Sequence, residues 1–242
     1  MKKSVVMSMF CIIFCVFAAD SVSAMPITLF ADDFNDNSIN SERWTQDITG
    51  PGYVLEQNQQ LEFTVYGENS PRRVYLQSDT FSIQNWTSID FSGQWAIPSP
   101  NTAEFELFIY DADDPTNYFR VDYQSWGGPN LRLCDSGPYI VSDPRTPPAT
   151  MTDFSLKFTD SGWEYWEGSS IVSSLPSNTM LGAENFYIKI GGWDYSYVPD
   201  QNVYYDNICV TAEAAPVPEP ATLLLMGTGL LALAGFRKKA HK

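Results

Sequence analysis

The stretch AEFELFIY, residues 103–110, alternates apolar and polar side chains with a period of two. In an extended chain Phe105, Leu107 and Ile109 therefore point to one side, and Glu104 and Glu106 point to the other. Such alternation is typical of an antiparallel strand with one buried face. The segment FSLKF, residues 154–158, repeats the pattern. Both segments predict strands of a sheet that covers a hydrophobic core.

Strand-like segments, rich in aromatic and β-branched residues, recur along the chain between clusters of Gly, Pro and Asp. No stretch before Ala221 combines a helical period with helix caps. Many short strands with regular turns predict an all-β fold, an antiparallel β-sandwich of the jelly-roll type. The predicted strands are 60–66, 88–97, 103–111, 118–126, 153–159, 185–191 and 202–211.

Residues 1–24 have the layout of a secretory signal peptide. Two lysines precede an apolar run at 5–19, and the small residues VSA at 22–24 offer a cleavage point before Met25. The run is short for a membrane span, so we predict export through the Sec translocon and removal by signal peptidase. The alternative is an uncleaved N-terminal anchor.

The other end of the chain also carries an apolar segment. Residues 221–236 hold no charge, and the basic sequence RKK follows them. As a helix this run reaches roughly 24 Å, against roughly 30 Å for the hydrocarbon core of a bilayer. We predict a single short transmembrane helix, with the basic residues holding the C-terminus in the cytoplasm.

Pro218, Glu219 and Pro220 stand directly before this helix. The segment 217–242 resembles the PEP-CTERM sorting signal of Gram-negative bacteria. The resemblance implies that an exosortase recognises the three residues and removes the tail, and that the protein reaches the cell envelope or an exopolysaccharide matrix. The alternative is a simple tail anchor that contains this tripeptide by chance.

The composition of residues 25–216 restricts the chemistry of the exported part. This part holds 8 basic and 27 acidic residues, a net charge of −19, so we predict no binding to nucleic acid through charge. It contains no histidine, which excludes Ser-His-Asp and Cys-His catalysis and zinc sites with histidine ligands. Carboxylates, aromatic residues and a few arginines remain for a functional site.

Two further segments resemble a known fold. LFADDFNDNSINSERWT, residues 29–45, resembles the opening of concanavalin A-like lectin/glucanase domains, and YYDNICV, residues 204–210, resembles their closing strand. The resemblance implies that the first and last strands lie side by side, with Phe34 and Trp44 in the core. It implies no single function, because this fold is used by lectins, glycosidases and modules without a ligand.

The main candidate site is a pair of carboxylates. Glu104 and Glu106 lie on one side of their strand, and Arg120 and Asp122 take the corresponding places on the next predicted strand. Two carboxylates that lie two residues apart on one strand suit glycoside hydrolysis. Laminarinase-type members of the fold, however, place three acids along one strand, and in this chain Phe108 occupies the third place. The readings left open are a solvated face, a binding groove and a hydrolase.

Two tryptophans flanked by glycines, Trp126 and Trp193, are candidates for stacking against a sugar ring. Asp32 and Asp206, on the first and last predicted strands, are candidate ligands of a structural calcium ion. Asp is equally favoured in turns for backbone reasons, so that alternative stays open. Cys134 and Cys209 are the two cysteines of the exported part and either form a disulfide or remain two buried thiols.

The sequence therefore predicts four segments: a signal peptide at 1–24, a β-sandwich at 25–211, a linker at 212–216 and a sorting signal at 217–242. We expect an exported envelope or matrix protein that is not an enzyme and that serves as an exopolysaccharide-binding module or as a structural module. The alternative is a glycoside hydrolase that depends on Glu104 and Glu106. No cofactor beyond the candidate calcium ion is implied.

Overall fold

The computed structural model describes residues 25–65, 72–98, 104–124, 129–136, 141–176, 179–180, 182–194 and 201–214. The signal peptide, the sorting signal with Pro218, Glu219 and Pro220, the apolar run 221–236 and Trp126 lie outside the described residues. Within the described part of the chain, no helix has the length and apolar character that a membrane span requires.

The described residues form β-strands joined by turns and loops. In chain order the strands are β1 (Ile27–Asp32), β2 (Trp44–Thr49), β3 (Gly52–Gln57), β4 (Gln60–Val65), β5 (Arg72–Ser78), β6 (Phe81–Ser82), β7 (Trp86–Ala96), β8 (Glu104–Asp111), β9 (Tyr118–Gln124), β10 (Asn130–Asp135), β11 (Val141–Pro144), β12 (Thr152–Thr159), β13 (Gly162–Glu167), β14 (Ser170–Leu175), β15 (Asn185–Asp194) and β16 (Gln201–Ala214).

These strands build two antiparallel sheets. The first sheet has the order β14-β13-β12-β7-β16-β4-β3, and β1 also pairs with β16. The second sheet has the order β11-β10-β9-β8-β15-β5-β2, and β6 also pairs with β15. The predicted antiparallel β-sandwich is confirmed, and each of the seven predicted strands overlaps a strand of the structure.

The first and last strands pair as the fold resemblance implied. Ala31 lies opposite Cys209 and Asp32 lies opposite Ile208 in the register of β1 and β16. The last strand continues through Ala214, so residues 212–214 of the predicted linker belong to the sheet. The reason is continued pairing with β7, where Ala212 lies opposite Ile89.

The core between the sheets is built from the apolar residues of the alternating strands. Phe105 of the second sheet packs against Trp95 and Tyr205 of the first, with ring centroids 4.1 Å and 5.3 Å apart. Phe34 and Trp44 are buried as expected, with 1% and 3% of their surfaces exposed. Burial of these large aromatic surfaces supplies the main force that holds the two sheets together.

Cys134 and Cys209 are free thiols, so of the two alternatives left open for them the disulfide is not formed. Cys134 lies on β10 and alternates with the core residues Leu131 and Leu133, so its side chain is on the outer face of the second sheet. Cys209 lies on β16 beside the core residue Ile208 and is on the outer face of the first sheet. The aromatic core separates the two thiols by more than a disulfide can bridge.

Candidate functional site

The outer face of the second sheet carries most of the candidate residues, and we call it the site face. It is formed by the residues of β5, β8, β9, β10 and β15 whose side chains point away from the core. Those used below are Arg73, Tyr75, Glu104, Glu106, Phe108, Tyr110, Tyr118, Arg120, Asp122, Arg132, Lys189 and Trp193.

The hairpin of β8 and β9 brings the predicted carboxylates together. Glu106 lies opposite Asp122, and Phe108 lies opposite Arg120. The register is held by the turn, where the backbone N–H of Asp111 donates to the carbonyl of Asn117 at 3.1 Å. The structure thus places Glu104, Glu106, Arg120 and Asp122 on one face, as their alternation in the sequence indicated.

These carboxylates are buried, so the reading of a freely solvated face does not hold. Glu104 and Glu106 are each 2% exposed, and Asp122 is fully buried. Arg120 lies 3.2 Å from Glu106 and 2.9 Å from Asp122, measured between guanidinium nitrogen and carboxylate oxygen. Arg132 pairs with Asp122 and lies 3.8 Å from Glu104. Two guanidinium groups therefore offset the cost of burying three carboxylates.

Burial changes the proton affinity of this cluster. Loss of water raises the pKa of Glu106, against a hydrogen bond from Tyr75 and the charge of Arg120, which both lower it. Burial also raises the pKa of Asp122 to about 7, although Arg120 and Arg132 oppose the change. The pKa values of both carboxyl groups therefore lie above those of ordinary exposed acids.

Gly191 on β15 determines how Tyr75 reaches Glu106. The register places Gly191 between Tyr75 on β5 and Glu106 on β8. A Cβ atom at this glycine would lie 2.5 Å from a ring carbon of Tyr75 and would also collide with the carbonyl oxygen of Val74. Because no side chain stands there, the Tyr75 hydroxyl crosses the intervening strand and donates a hydrogen bond to Glu106.

A cleft of about 350 Å³ opens on the site face above this contact. Two of its rings, those of Phe108 and Tyr110, have centroids 5.5 Å apart, and Tyr110 also stacks on the neighbouring Tyr187 of β15 with centroids 4.8 Å apart. The residues that line the cleft are Arg73, Tyr75, Glu106, Phe108, Tyr110, Tyr118, Arg120, Lys189 and Trp193.

Sequence reasoning found part of this lining. Arg120, Trp193 and Glu106 line the cleft, whereas Glu104 and Asp122 are buried and absent from its wall. Arg73 and Tyr75 were missed because β5 was not recognised as a strand. The aromatic and β-branched segment RRVYLQS was the signal that could have identified it.

The residues proposed for calcium are engaged in local hydrogen bonds. Asp32 accepts from the backbone N–H of Phe34 at 3.1 Å and from the indole N–H of Trp44 at 2.8 Å. Asp206 accepts from the backbone N–H of Asn207 at 2.7 Å. Within the described ranges no group of three or more Asp, Glu, His or Cys side chains is arranged to hold a metal ion. Calcium binding stays a prediction.

Comparison with known proteins supports both the sorting signal and the fold. Residues 216–239 match the PEP-CTERM protein-sorting motif, which indicates an exported protein anchored at the membrane before cleavage. The search of curated protein sequences found no match.

Several solved structures share the sandwich. The catalytic domain of an endo-1,3-β-glucanase (laminarinase) from Thermotoga petrophila has a TM-score of 0.61 at 12% identity, covering 79% of this chain and 100% of that one. An endo-β-1,3-glucanase from Pyrococcus furiosus has 0.62 at 11% identity, covering 79% and 96%. An alginate lyase from Zobellia galactanivorans has 0.50 at 14% identity, covering 79% and 95%. At these identities the likeness shows the fold.

These structures correct one expectation. The prediction that the domain is not an enzyme is wrong as stated, because the solved structures that share its sandwich include endo-1,3-β-glucanases. Glycosidase activity therefore remains a candidate function of this chain.

The raised pKa of Asp122 predicts how stability depends on pH. The folded pKa of about 7 lies above the ordinary value near 4, so folding takes up a proton between these limits. The free energy of unfolding should therefore fall as pH rises from about 4 to about 7. Urea unfolding at a series of pH values measures this slope, and Asp122→Asn should reduce it. A slope of opposite sign, or one unchanged in the variant, would contradict the assignment.

Proposed function

We propose that the exported domain binds a polysaccharide chain in the cleft of the site face. The observation that carries this proposal is the cleft itself, in which Tyr110, Tyr118 and Trp193 stand beside the polar groups of Glu106 and Arg120. Its volume of about 350 Å³ falls within the range of small-molecule sites. A cleft of this size accommodates a few sugar units of a longer chain.

Aromatic rings and charged groups serve different purposes in such a cleft. The face of a pyranose ring carries C–H groups that pack against an aromatic ring, while its hydroxyl groups need hydrogen-bond partners. The ring of Tyr110 stacks on the ring of Tyr187, so its orientation is fixed before a ligand binds. Fixed side chains lower the entropy lost on binding.

The fold comparisons support a polysaccharide as the ligand class. The laminarinase, the glucanase and the alginate lyase that share the sandwich are named for polysaccharide substrates. In this chain the second sheet presents a cleft in which aromatic rings lie beside basic side chains and one carboxyl group, that of Glu106. The ligand class is thus supported by the local chemistry and by the neighbours together.

The sorting signal supports a location for this binding. We propose that an exosortase cleaves the chain at Pro218-Glu219-Pro220 while residues 221–236 hold it in the inner membrane with the C-terminus inside. Release would place the acidic sandwich in the cell envelope or the extracellular matrix, where polysaccharide is present. The Sec translocon and signal peptidase would act before this step.

Mass spectrometry of the exported protein tests the processing. We expect the mature chain to begin near Met25 and to lack every peptide beyond the Pro-Glu-Pro segment, because cleavage there removes the apolar helix. Deletion of the exosortase gene in the source cell should restore peptides that contain Phe236. Detection of Phe236 in the exported protein of the normal cell would contradict tail removal.

Affinity gel electrophoresis with polysaccharides from the source cell tests the binding. Trp193→Ala and Tyr110→Ala should each weaken retention about tenfold, since loss of a stacking aromatic side chain costs about 1 to 2 kcal/mol. Trp166→Ala is the matched control, because Trp166 lies on β13 in the first sheet, outside the cleft. Absence of retention on every polysaccharide tested, or equal losses in the control, would contradict the proposal.

Glycoside hydrolysis is the second candidate function, and the raised pKa of Glu106 favours it. Burial raises the pKa of Glu106, which favours its protonated form, and a protonated carboxyl group can donate a proton to the leaving oxygen of a glycosidic bond. Glu104, which is buried behind the cleft wall, stands two residues away on the same side of β8, at a Cα separation of about 7 Å. Carboxyl pairs of glycosidases lie roughly 5 to 9.5 Å apart.

Release of reducing sugar from β-1,3-glucan and from the source cell's own polysaccharide tests this candidate. Glu106→Gln should abolish the release because the amide cannot donate the proton as an acid does. Glu164→Gln, on β13 in the first sheet, is the control and should retain the activity. If the unaltered protein releases no sugar, or Glu106→Gln remains active, hydrolysis through Glu106 is wrong.

A further inference from the structure

The cleft of the site face is lined by more basic than acidic residues, although the domain as a whole is acidic. Residues 25–216 hold 8 basic and 27 acidic residues. Three of those 8 cations, Arg73, Arg120 and Lys189, line the cleft together with a single carboxyl group, Glu106. The lining residues therefore carry a formal charge of +2, while the domain as a whole carries −19.

Each cation of the cleft lies against an aromatic ring of the same cleft. The guanidinium carbon of Arg73 is 5.9 Å from the ring centre of Trp193, and that of Arg120 is 5.5 Å from the ring centre of Phe108. The ammonium group of Lys189 is 4.7 Å from the ring centre of Tyr75. These contacts hold the three cations next to the surfaces on which a sugar ring would pack.

The three cations differ in how fully their charge is compensated. Arg120 faces Glu106 and Asp122, and Lys189 pairs with Asp47 on β2. Arg73 is exposed, and among the residues that the structure describes no carboxylate lies within ion-pair distance of it. It is therefore the cation best able to take an anionic group from a ligand.

We propose, resting on the proposed polysaccharide binding, that the ligand of the cleft is an acidic polysaccharide whose sugar units carry carboxylate groups. The ring of such a sugar packs on the aromatic residues, and its carboxylate is bound by Arg73 with support from Lys189. A guanidinium group matches a carboxylate through two parallel hydrogen bonds, which adds direction to the attraction.

A neutral glucan gains nothing from this arrangement of charge. The net charge of the domain would repel an acidic chain at a distance, but at physiological salt this repulsion is screened beyond about 8 Å. Inside the cleft Arg73 acts over a few ångströms beside buried surface, whereas Arg120 and Lys189 already face carboxylates. The charge of Arg73 therefore favours the acidic chain over the neutral one.

Affinity gels that contain polygalacturonate, β-1,3-glucan or a sulfated galactan test this proposal on the exported protein. We expect polygalacturonate to retain the protein at least about tenfold more strongly than the neutral glucan, with retention that decreases as salt is added. The sulfated galactan distinguishes recognition of carboxylate from attraction to negative charge in general, and it should retain the protein less than polygalacturonate.

Arg73→Gln and Lys189→Gln should each weaken retention on polygalacturonate about tenfold, because each removes a charged hydrogen bond to the ligand. Lys157→Gln is the matched control. Lys157 also lies over an aromatic ring, 5.1 Å from the centre of Trp166, and is 3.9 Å from Asp90, but it belongs to the first sheet. Circular dichroism verifies that the variants are folded.

The outcomes separate this proposal from the one on which it rests. Retention on the neutral glucan that equals or exceeds retention on polygalacturonate overturns the acidic ligand and leaves polysaccharide binding in place. Retention on the sulfated galactan that equals or exceeds retention on polygalacturonate overturns the assignment of the recognised group as a carboxylate. Absence of retention on all three gels and on the polysaccharides of the source cell overturns both proposals. Equal losses in Lys157→Gln overturn the role of Arg73 and Lys189.

Discussion

The hydrogen bond from Tyr75 to Glu106 crosses β15 at Gly191, and the layout of the site face depends on that crossing. A side chain at Gly191 would fill the space that the Tyr75 ring occupies. On the core side, the Tyr205 hydroxyl lies 2.7 Å from the carbonyl oxygen of Gly191 and 3.2 Å from that of Glu106. One tyrosine from each side of the sheet therefore fixes the strand pair at this point.

The charge cluster next to this crossing is stable only as a whole. Glu106 and Asp122 share Arg120, and Asp122 also pairs with Arg132. Removal of one guanidinium would leave a buried carboxylate without its counter-ion, which is more costly than the loss of an exposed ion pair. The same burial raises the pKa of Glu106 and Asp122, so the stability of the face and the proton affinity of its acids have one cause.

The two outer faces of the sandwich differ because their strands carry different residues at non-core positions. The site face gathers Arg73, Arg120 and Lys189 beside aromatic rings, and it presents a cleft to the solvent. The corresponding face of the first sheet carries Lys157 over Trp166 and the partly exposed Cys209. A common core thus supports two surfaces with separate chemistry, which is why substitutions on one face provide controls for the other.

The sequence by itself determined the class of fold, the pairing of its first and last strands and the presence of a sorting signal for export. Period-two alternation reports which residues face the core, so the residues 103–110 indicated both a strand and the shared side of Glu104 and Glu106. The sorting motif at 216–239 is a local signal that can be read without any tertiary contact.

Only the tertiary structure decided the composition of the cleft. Arg73 and Tyr75 reach Glu106 because β5 pairs with β15 and β15 pairs with β8, and these strands are far apart in the chain. The state of Cys134 and Cys209 stayed open at the level of sequence for the same reason, since two cysteines in a sequence do not reveal on which side of which sheet they lie. Alternation specifies the side of a strand, whereas the identity of its neighbours depends on long-range packing of the two sheets.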